Sequence, residues 1–313
     1  SGVPFIRFMS DSTFPQAQST NLSYFNGVLL VLLAGVFWSS MGIGIRSIET
    51  ANVWQILLYR SCSLSLFLFI LIAIRSGFKP LKAIKKTGLA GVIGGWGLVV
   101  AFSGGVYSIQ TTTVANAMFL FASAPFFAAI FGWFILRESV RKSTWIATSV
   151  AALGIAVMVV DGFAAGHMIG NISALLSALG FAVFTIALRW GKLEDMLPAV
   201  FLAGVFAAVT SAMICYFGEL IFVLSVNDAT ISLAMGVFQV GAGLAIYTIG
   251  SKVVPAAELT LLSLTEVLLG PLWVWVFIGE TVSSYTLIGG TILLMAIAGN
   301  ALTGLRRKPV PVI

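Results

Sequence analysis

The sequence predicts an all-α integral membrane protein with ten transmembrane helices, arranged as two inverted five-helix repeats with both termini in the cytoplasm. The composition, the long apolar segments and an internal repeat each favour this fold class. Of the 313 residues, 59% are hydrophobic and 9% are charged, whereas an average soluble domain has about 25% charged residues. No soluble fold of this length could bury so much apolar surface, so the predicted solvent is a lipid bilayer.

Ten apolar segments are long enough to cross a bilayer, which takes about 20 predominantly apolar residues per helix. They lie at residues 25–46, 54–74, 88–108, 113–136, 143–160, 170–190, 199–223, 231–250, 256–277 and 284–304. None shows the sustained two-residue alternation of a transmembrane barrel. The longest connections, around 75–87, 161–169 and 190–198, are too short to hold a soluble domain.

The chain repeats itself at an interval of 142 or 143 residues. Six positions of the first half recur in the second, where Gly27, Arg46, Ala115, Asn116, Glu138 and Val140 correspond to Gly170, Arg189, Ala257, Glu258, Glu280 and Val282. We predict two copies at residues 25–165 and 166–304, between a polar tail at 1–24 and a basic tail at 305–313. Because each copy has an odd number of segments, the second must enter the membrane from the opposite side. Such inverted repeats are typical of secondary transporters.

Basic residues are concentrated on one side of the predicted membrane topology. That side has 15 of the 17 Lys and Arg residues, and the exceptions are Arg46 on the other side and Arg60 inside the second segment. Basic residues in short loops stay in the cytoplasm, so both termini are predicted to be cytoplasmic. The same distribution makes a lipid bilayer, and not nucleic acid, the expected partner of a chain with a net charge of +6.

The sequence lacks the motifs of several enzyme classes. It has no G-x-x-x-x-G-K-[ST] phosphate-binding loop and no H-E-x-x-H zinc motif, and its one histidine, His167, lies in a predicted loop. No cofactor, metal or catalytic residue is therefore expected, and a membrane enzyme would have only Glu258 with Lys252 as an acid–base pair. Cys62 and Cys215 lie inside predicted helices, where they are expected to pack without forming a disulfide.

Polar residues inside membrane helices are costly and usually functional. Glu266 lies near the middle of the ninth segment, on about the same face as Glu258 and Thr265. It could contact a substrate amino group, carry a proton, or be protonated and bonded to a neighbouring helix. Asn116 and Glu258, at equivalent positions of the two copies, either mark the ends of a transport path or cap their helices. Arg60 is expected to extend to the membrane surface, with contact to an anion as the alternative.

Aromatic residues beside polar ones predict a cavity that suits an amphipathic solute. The predicted binding wall consists of Trp38, Trp96, Phe119, Phe181, Gln239 and Tyr247, with Glu266 as its polar partner. Tyr107, Asn116 and Glu258 are predicted to lie at gates or along the path. Aromatic walls stack on aromatic solutes or hold cations over ring faces. For any single ring, packing between helices is an equally good explanation.

Two phrases in the sequence resemble those of a known family. The first runs from Pro125 to Glu138 as Pro-x(12)-Glu, and the second copy has Gly279 and Glu280 at the equivalent place. With these phrases, residues 25–304 resemble the drug/metabolite transporter superfamily and its ten-helix EamA-type branch. The chain departs from that pattern at Arg137, where Gly is usual, and at Val267, where Pro is usual. It is most similar to the bacterial aromatic amino acid exporter and methyl viologen efflux type.

The resemblance implies an inner-membrane exporter of amino acids or related small metabolites. It also implies a cavity formed by the first, third, fourth, sixth, eighth and ninth segments. We therefore expect a secondary transporter that works by alternating access between the two copies. A multidrug or organic-cation efflux carrier and, in another class, a passive channel are the alternatives. The acidic residues permit proton coupling, and facilitated diffusion agrees equally well with the sequence.

Overall fold

The computed structural model describes residues 23–164, 166–254 and 256–305. The chain is helical throughout these ranges apart from turns and short connections, and ten of the helices are long and apolar enough to cross a membrane. They are α1 (Tyr24–Arg46), α2 (Val53–Arg75), α3 (Gly88–Thr111), α4 (Val114–Ile135), α5 (Lys142–Ala164), α6 (Met168–Trp190), α7 (Leu197–Phe217), α8 (Val226–Gly250), α9 (Ala256–Ile278) and α10 (Ser284–Leu305). The prediction of ten membrane-spanning helices is thus confirmed.

Several helices begin at a polar residue placed just before an apolar run. Ser23, Thr113 and Ser225 each accept a hydrogen bond from the backbone three residues later, and Asn52 forms a capping box with Gln55. Such caps satisfy backbone N–H groups that have no partner inside the helix. In the first copy the cap of α4 is therefore Thr113, which leaves the Asn116 side chain free for other contacts.

Two of the spans are discontinuous. α4 is broken by a turn between its Val114–Phe121 and Ala124–Ile135 parts, with Pro125 in the first turn of the second part. α8 contains a π-helical stretch at Met235–Ala242, a form that is rare and frequent at functional sites. Pro271 lies inside α9, and Pro255 lies outside the described residues.

The predicted boundaries of the seventh and eighth segments are wrong. The seventh was expected at 199–223, but α7 ends at Phe217, where Glu219 adopts φ 53° and the Leu220 N–H bonds the carbonyl of Cys215 at 2.9 Å. The apolar residues that follow form the connection to α8, which begins at Val226 and not at 231. Averaged hydropathy does not detect this end, because Gly218 and Glu219 are followed at once by five more apolar residues at 220–224.

Contacts between the two halves dominate the packing. α3 packs along α6, α1 against α8 and α9, α2 against α7, and α5 against α10. The α3–α6 contact depends on small residues: a methyl group on Gly97 would lie 2.8 Å from the Gly180 carbonyl oxygen, and one on Gly104 would lie 2.6 Å from the Ser173 carbonyl oxygen. Both cysteines are free, Cys215 being buried and Cys62 exposed.

Two apolar clusters form the interior. The first cluster includes Ile56, Leu57, Val106, Ile109, Met118, Leu120, Met235 and Leu293. The second cluster includes Leu64, Leu68, Leu98, Phe184, Val200 and Val240. Phe102 packs against both, so it marks their junction. Helices α2 and α8 each contribute residues to both clusters and therefore cross this junction.

Candidate functional site

Three of the predicted site residues lie on α1 or on the helices that pack against it. The Trp38 ring lies 5.2 Å from the Tyr247 ring at an interplanar angle of 45°, and Gly243 of α8 packs against the Trp38 indole. Gly35, one turn before Trp38 on the same face of α1, lies against the backbone of Glu266. The Trp38, Tyr247 and Glu266 side chains are all half-buried. α1 thus packs against α8 through the Trp38–Tyr247 ring pair and, one helical turn away, against the backbone of Glu266 on α9.

Three polar side chains inside the helices, those of Glu266, Arg60 and Gln239, have polar atoms without a partner among the described residues. No hydrogen bond or ion pair joins the Glu266 carboxylate to the part of the chain that the structure describes. Arg60 is only 3% exposed, and its Nη1 has no hydrogen-bond partner there, nor does Oε1 of the buried Gln239. The expectation that Arg60 extends to the membrane surface is therefore wrong, because the helices packed around α2 cover it.

The other predicted wall residues lie elsewhere. Trp96 is exposed and stacks on Phe206 of α7 at 5.1 Å. Phe119 is buried and packs against Gly290 of α10. Phe181 is half exposed and lies 5.9 Å from Phe184. These contacts do not join them to Trp38, Tyr247 or Glu266, so their place in a binding wall stays a prediction.

Gln239 also lines a groove of about 290 Å³ between α1 and α8, with Ser40, Ile43 and Phe238 among its other residues. Ser40 is two residues beyond Trp38, which places the two side chains on nearly opposite sides of a helix with 3.6 residues per turn. The groove therefore does not open onto the Trp38–Tyr247 contact. Gln239 contributes to the α1–α8 interface from the π-helical stretch of α8.

Asn116 is the centre of a buried hydrogen-bonded group that we call the Asn116 cluster, formed by Thr112, Asn116, Asn171 and Thr286. The Asn116 amide donates to the Asn171 side chain and, at 3.3 Å, to Thr112, while Thr286 donates to Asn116 Oδ1 at 3.3 Å. Asn171 in turn donates to the Met158 carbonyl at 3.4 Å. The cluster thus fastens together the ends of α4, α5, α6 and α10.

The two other predicted gate residues have fewer contacts. Glu258, in the first turn of α9, accepts a hydrogen bond from the exposed Tyr24 hydroxyl at the start of α1. Tyr107 is half-buried and packs against the first cluster. Asn116 and Glu258 occupy equivalent positions of the repeat, and each contacts the first helix of the other copy.

Two Arg–Glu pairs also join the copies, and the sequence analysis missed them. Arg46 Nε lies 2.7 Å from Glu280 Oε2, and Arg189 pairs with Glu138. The Arg46 pair is reinforced by the Thr112 carbonyl, which accepts from Arg46 at 2.7 Å, and by the Val114 N–H, which donates to Glu280 at 2.6 Å. All four charged residues are repeat positions, with Arg46 equivalent to Arg189 and Glu138 equivalent to Glu280. An arginine and a glutamate repeated in both copies were the signal that could have predicted the pairing.

Ten apolar helices with unpaired polar side chains at mid-helix define a multi-pass membrane protein of the solute-transporter class. The chain belongs to the EamA-like transporter family, within the drug/metabolite transporter superfamily, because it matches that family at residues 25–160 and again at 168–302.

Two individual proteins that resemble this chain share only about a quarter of the aligned residues with it. The pseudopaline exporter CntI of Pseudomonas aeruginosa is 23% identical over 273 residues, which cover 87% of this chain and 94% of the exporter. An uncharacterized transporter, YwfM of Bacillus subtilis, is 25% identical over 60% of this chain and 64% of its own length. A solved crystal structure aligns with a TM-score of 0.64 at 19% identity, over 91% of this chain and 100% of that one. At that identity it supports the fold alone.

Proposed function

We propose that this protein is a secondary transporter that exports small amphipathic metabolites, most notably aromatic or other amino acids, across a bacterial inner membrane. The observation that carries the proposal is that α1 packs against Tyr247 through Trp38 and, one helical turn away, against the backbone of Glu266, whose carboxylate has no partner among the described residues. An aromatic pair suits an apolar side chain, and a carboxylate without an internal partner suits a substrate ammonium group or a coupling proton. The relative named as a pseudopaline exporter supports export of a small metabolite.

The proposed topology has two inverted copies, 25–165 and 166–304, with both termini in the cytoplasm. α1 and α9 run in the same direction, because Tyr24 is bonded to Glu258 near their starts and Arg46 to Glu280 at their ends. α4 begins beside the end of α1, since Arg46 donates to the Thr112 carbonyl. These contacts support opposite directions for α4 and α9, the fourth helices of the two copies, and the basic loops support a cytoplasmic Tyr24 end.

Alternating access is the proposed mechanism, and the unequal ends of the molecule support it. The Arg46 end is closed by the buried Asn116 cluster and by an ion pair whose side chains are 24% and 18% exposed. At the other end the Arg189–Glu138 side chains are 48% and 37% exposed, and Tyr24 is exposed. We propose that the sides open in turn, with Asn116 and Tyr107 at the outer gate and Glu258 at the inner one.

Organic-cation efflux is the second candidate, and one observation favours it. The Glu266 carboxylate, unpaired within the described residues, belongs to a helix that packs against α1 one turn from Trp38, and ring faces together with a carboxylate bind cations well. An exported amino acid and an exported cation would share this contact. They differ in whether the solute also needs an anion-binding group.

Solute flux in proteoliposomes tests the proposal. The purified protein is reconstituted, and uptake of aromatic and aliphatic amino acids and of methyl viologen is measured with and without a pH gradient. Trp38→Ala and Glu266→Gln are each expected to lower flux of the transported solutes by about tenfold or more, the effect of losing one good contact. Trp145→Ala, which removes an exposed ring paired with Trp133 on α4, is the matched control.

The same assay decides the extent of the binding wall. Trp96, Phe119, Phe181 and Gln239 are replaced by alanine one at a time, and each variant that lowers flux without lowering the melting temperature belongs to the wall. If Trp38→Ala and Glu266→Gln transport every solute as the unaltered protein does, the site is misplaced.

A further inference from the structure

The buried guanidinium of Arg60 lies at the junction of the two apolar clusters. On α2 it follows Leu57 of the first cluster by one turn and precedes Leu64 of the second by one turn. Its Cζ lies 5.0 Å from the ring centroid of Phe102, the residue that packs against both clusters. The Arg60 cation therefore lies deep in the interior between two apolar clusters, with only 3% of the residue exposed.

The neighbouring helices contain no counter-ion for it. α2, α3 and α7 have no acidic residue, and the one carboxylate of α8, Asp228, accepts its hydrogen bonds from residues 49–51. Arg60 Nη1 consequently has no partner in the described part of the chain. The face of Phe102 compensates only part of the charge, since a cation over a ring contributes about 0.5–2 kcal/mol.

An uncompensated buried charge costs several kcal/mol, and within a membrane such a residue usually faces a solute path. A guanidinium presents N–H donors in a planar fork that matches a carboxylate. Gly236 of α8 lies against the Arg60 carbonyl, and Gln239 Oε1, another unpaired polar atom, is about one turn further along the same helix. Unpaired polar side chains are thus present on both α2 and α8, the two helices that cross this junction.

We propose that Arg60 binds a carboxylate group of the transported solute. This inference rests on the proposed transport function and narrows its substrate class to solutes that have an anionic oxygen group. Glu266 would then bind the ammonium group of an amino acid, and the Trp38–Tyr247 pair its apolar part. A solute that is only cationic would leave Arg60 unpaired and be a poor substrate.

The test compares an amino acid with its amide, for example phenylalanine and phenylalaninamide, which share the ring and the amino group. Protein-dependent flux of each is measured after subtraction of flux in empty liposomes. The unaltered protein is expected to prefer the acid by about 10-fold to 100-fold, as a charge-assisted hydrogen-bond pair allows. Arg60→Met is expected to abolish that preference and to keep the amide flux, and Arg60→Lys to keep part of it.

Melting temperature is the second readout, with and without the acid. Arg60→Met removes an unpaired charge, so its melting temperature is expected to equal or exceed that of the unaltered protein, and the shift caused by the acid is expected to disappear. A lower melting temperature with equal loss of both fluxes would make Arg60 a structural residue and overturn the inference. An unchanged preference in Arg60→Met would also overturn it.

The two proposals fail differently. If the unaltered protein moves neither solute but the acid raises its melting temperature and Arg60→Met loses that shift, the Arg60 site holds and the transport proposal fails. If the protein moves acid and amide equally well, transport holds and the Arg60 site fails.

Discussion

Asp228 fastens the start of α8 to the turn between α1 and α2. Its two carboxylate oxygens accept hydrogen bonds from the N–H groups of Glu49, Thr50 and Ala51 at 2.9–3.0 Å and from the Thr50 hydroxyl at 3.0 Å. The residue is fully buried. A carboxylate is well suited to this place because it only accepts hydrogen bonds, and three backbone donors converge on it.

Asp228→Asn is therefore expected to lower stability by about 2–4 kcal/mol, because the amide brings a donor against backbone donors and removes charge-assisted bonds. The measurement is the melting temperature in detergent, with Glu194→Gln, an exposed carboxylate, as the control. Equal melting temperatures for the two variants would contradict this account of Asp228.

Residue-scale chemistry could be predicted from the sequence only in part. A lone charge such as Glu266 or Arg60 is visible inside an apolar segment, so both were recognised as unusual. Their surroundings were not visible, because partners come from helices distant in the sequence. Arg60 was expected at the membrane surface from its distance along α2, whereas helices from both copies cover it. Whether Glu266 contacts a solute stays a prediction.

At the scale of the helices, packing depends on the close approach of their backbones, most clearly where α3 crosses α6. At Gly180 an added methyl group would lie 2.5 Å from the Gly97 carbonyl oxygen and 2.7 Å from the Ala101 nitrogen. Small residues stabilise helix contacts in membranes by allowing such approach. The ten helices themselves could be predicted because length and hydropathy define them, but the end of α7 was missed, since the turn at Gly218 and Glu219 is followed by a further apolar run that keeps the averaged hydropathy high.

Gly180→Ala is expected to destabilise the protein by about 1–3 kcal/mol, since the rigid backbone opposite cannot yield to the methyl group. Gly299→Ala in α10 is the matched control, because a methyl group there meets no atom within 4 Å. The control should be neutral or stabilising by up to about 1 kcal/mol, as expected for Gly to Ala in a helix. Similar melting temperatures for both variants would show that the α3–α6 contact is looser than described.

The two Arg–Glu pairs that join helix ends should differ in strength. A double-mutant cycle with Arg46→Gln and Glu280→Gln is expected to give a coupling of about 2 kcal/mol, because that pair is less exposed and is held by backbone groups. The cycle with Arg189→Gln and Glu138→Gln should give below about 1 kcal/mol, the range of exposed pairs. Chemical unfolding measures both, and equal couplings would contradict the proposed difference between the ends.

At the scale of the whole molecule, the contacts at the two ends are related by the repeat but unequal in burial. Asn116 and Glu258 are equivalent positions, and each bonds a residue in the first turn or so of the other copy's first helix, Asn171 and Tyr24 respectively; the Arg46–Glu280 pair corresponds to the Arg189–Glu138 pair. In each case the first member is the more buried. Because each contact joins one copy to the other, opening an end requires breaking a small set of polar bonds while the helices stay intact. Such an arrangement suits a molecule with two states that differ by a rocking of its halves.

Cross-linking each end separately tests this whole-molecule mechanism. With Cys62 and Cys215 replaced by alanine, Asn116→Cys with Asn171→Cys should lock the outer end, and Tyr24→Cys with Glu258→Cys the inner end, after a short bifunctional thiol reagent is added. Either lock is expected to lower solute flux by about tenfold or more, because alternating access requires both ends to open in each cycle. Single-cysteine variants treated in the same way are the controls, and a reducible reagent should restore flux when it is cleaved. Flux that survives complete cross-linking of one end would contradict a gate at that end, since solute would then cross although that end cannot open.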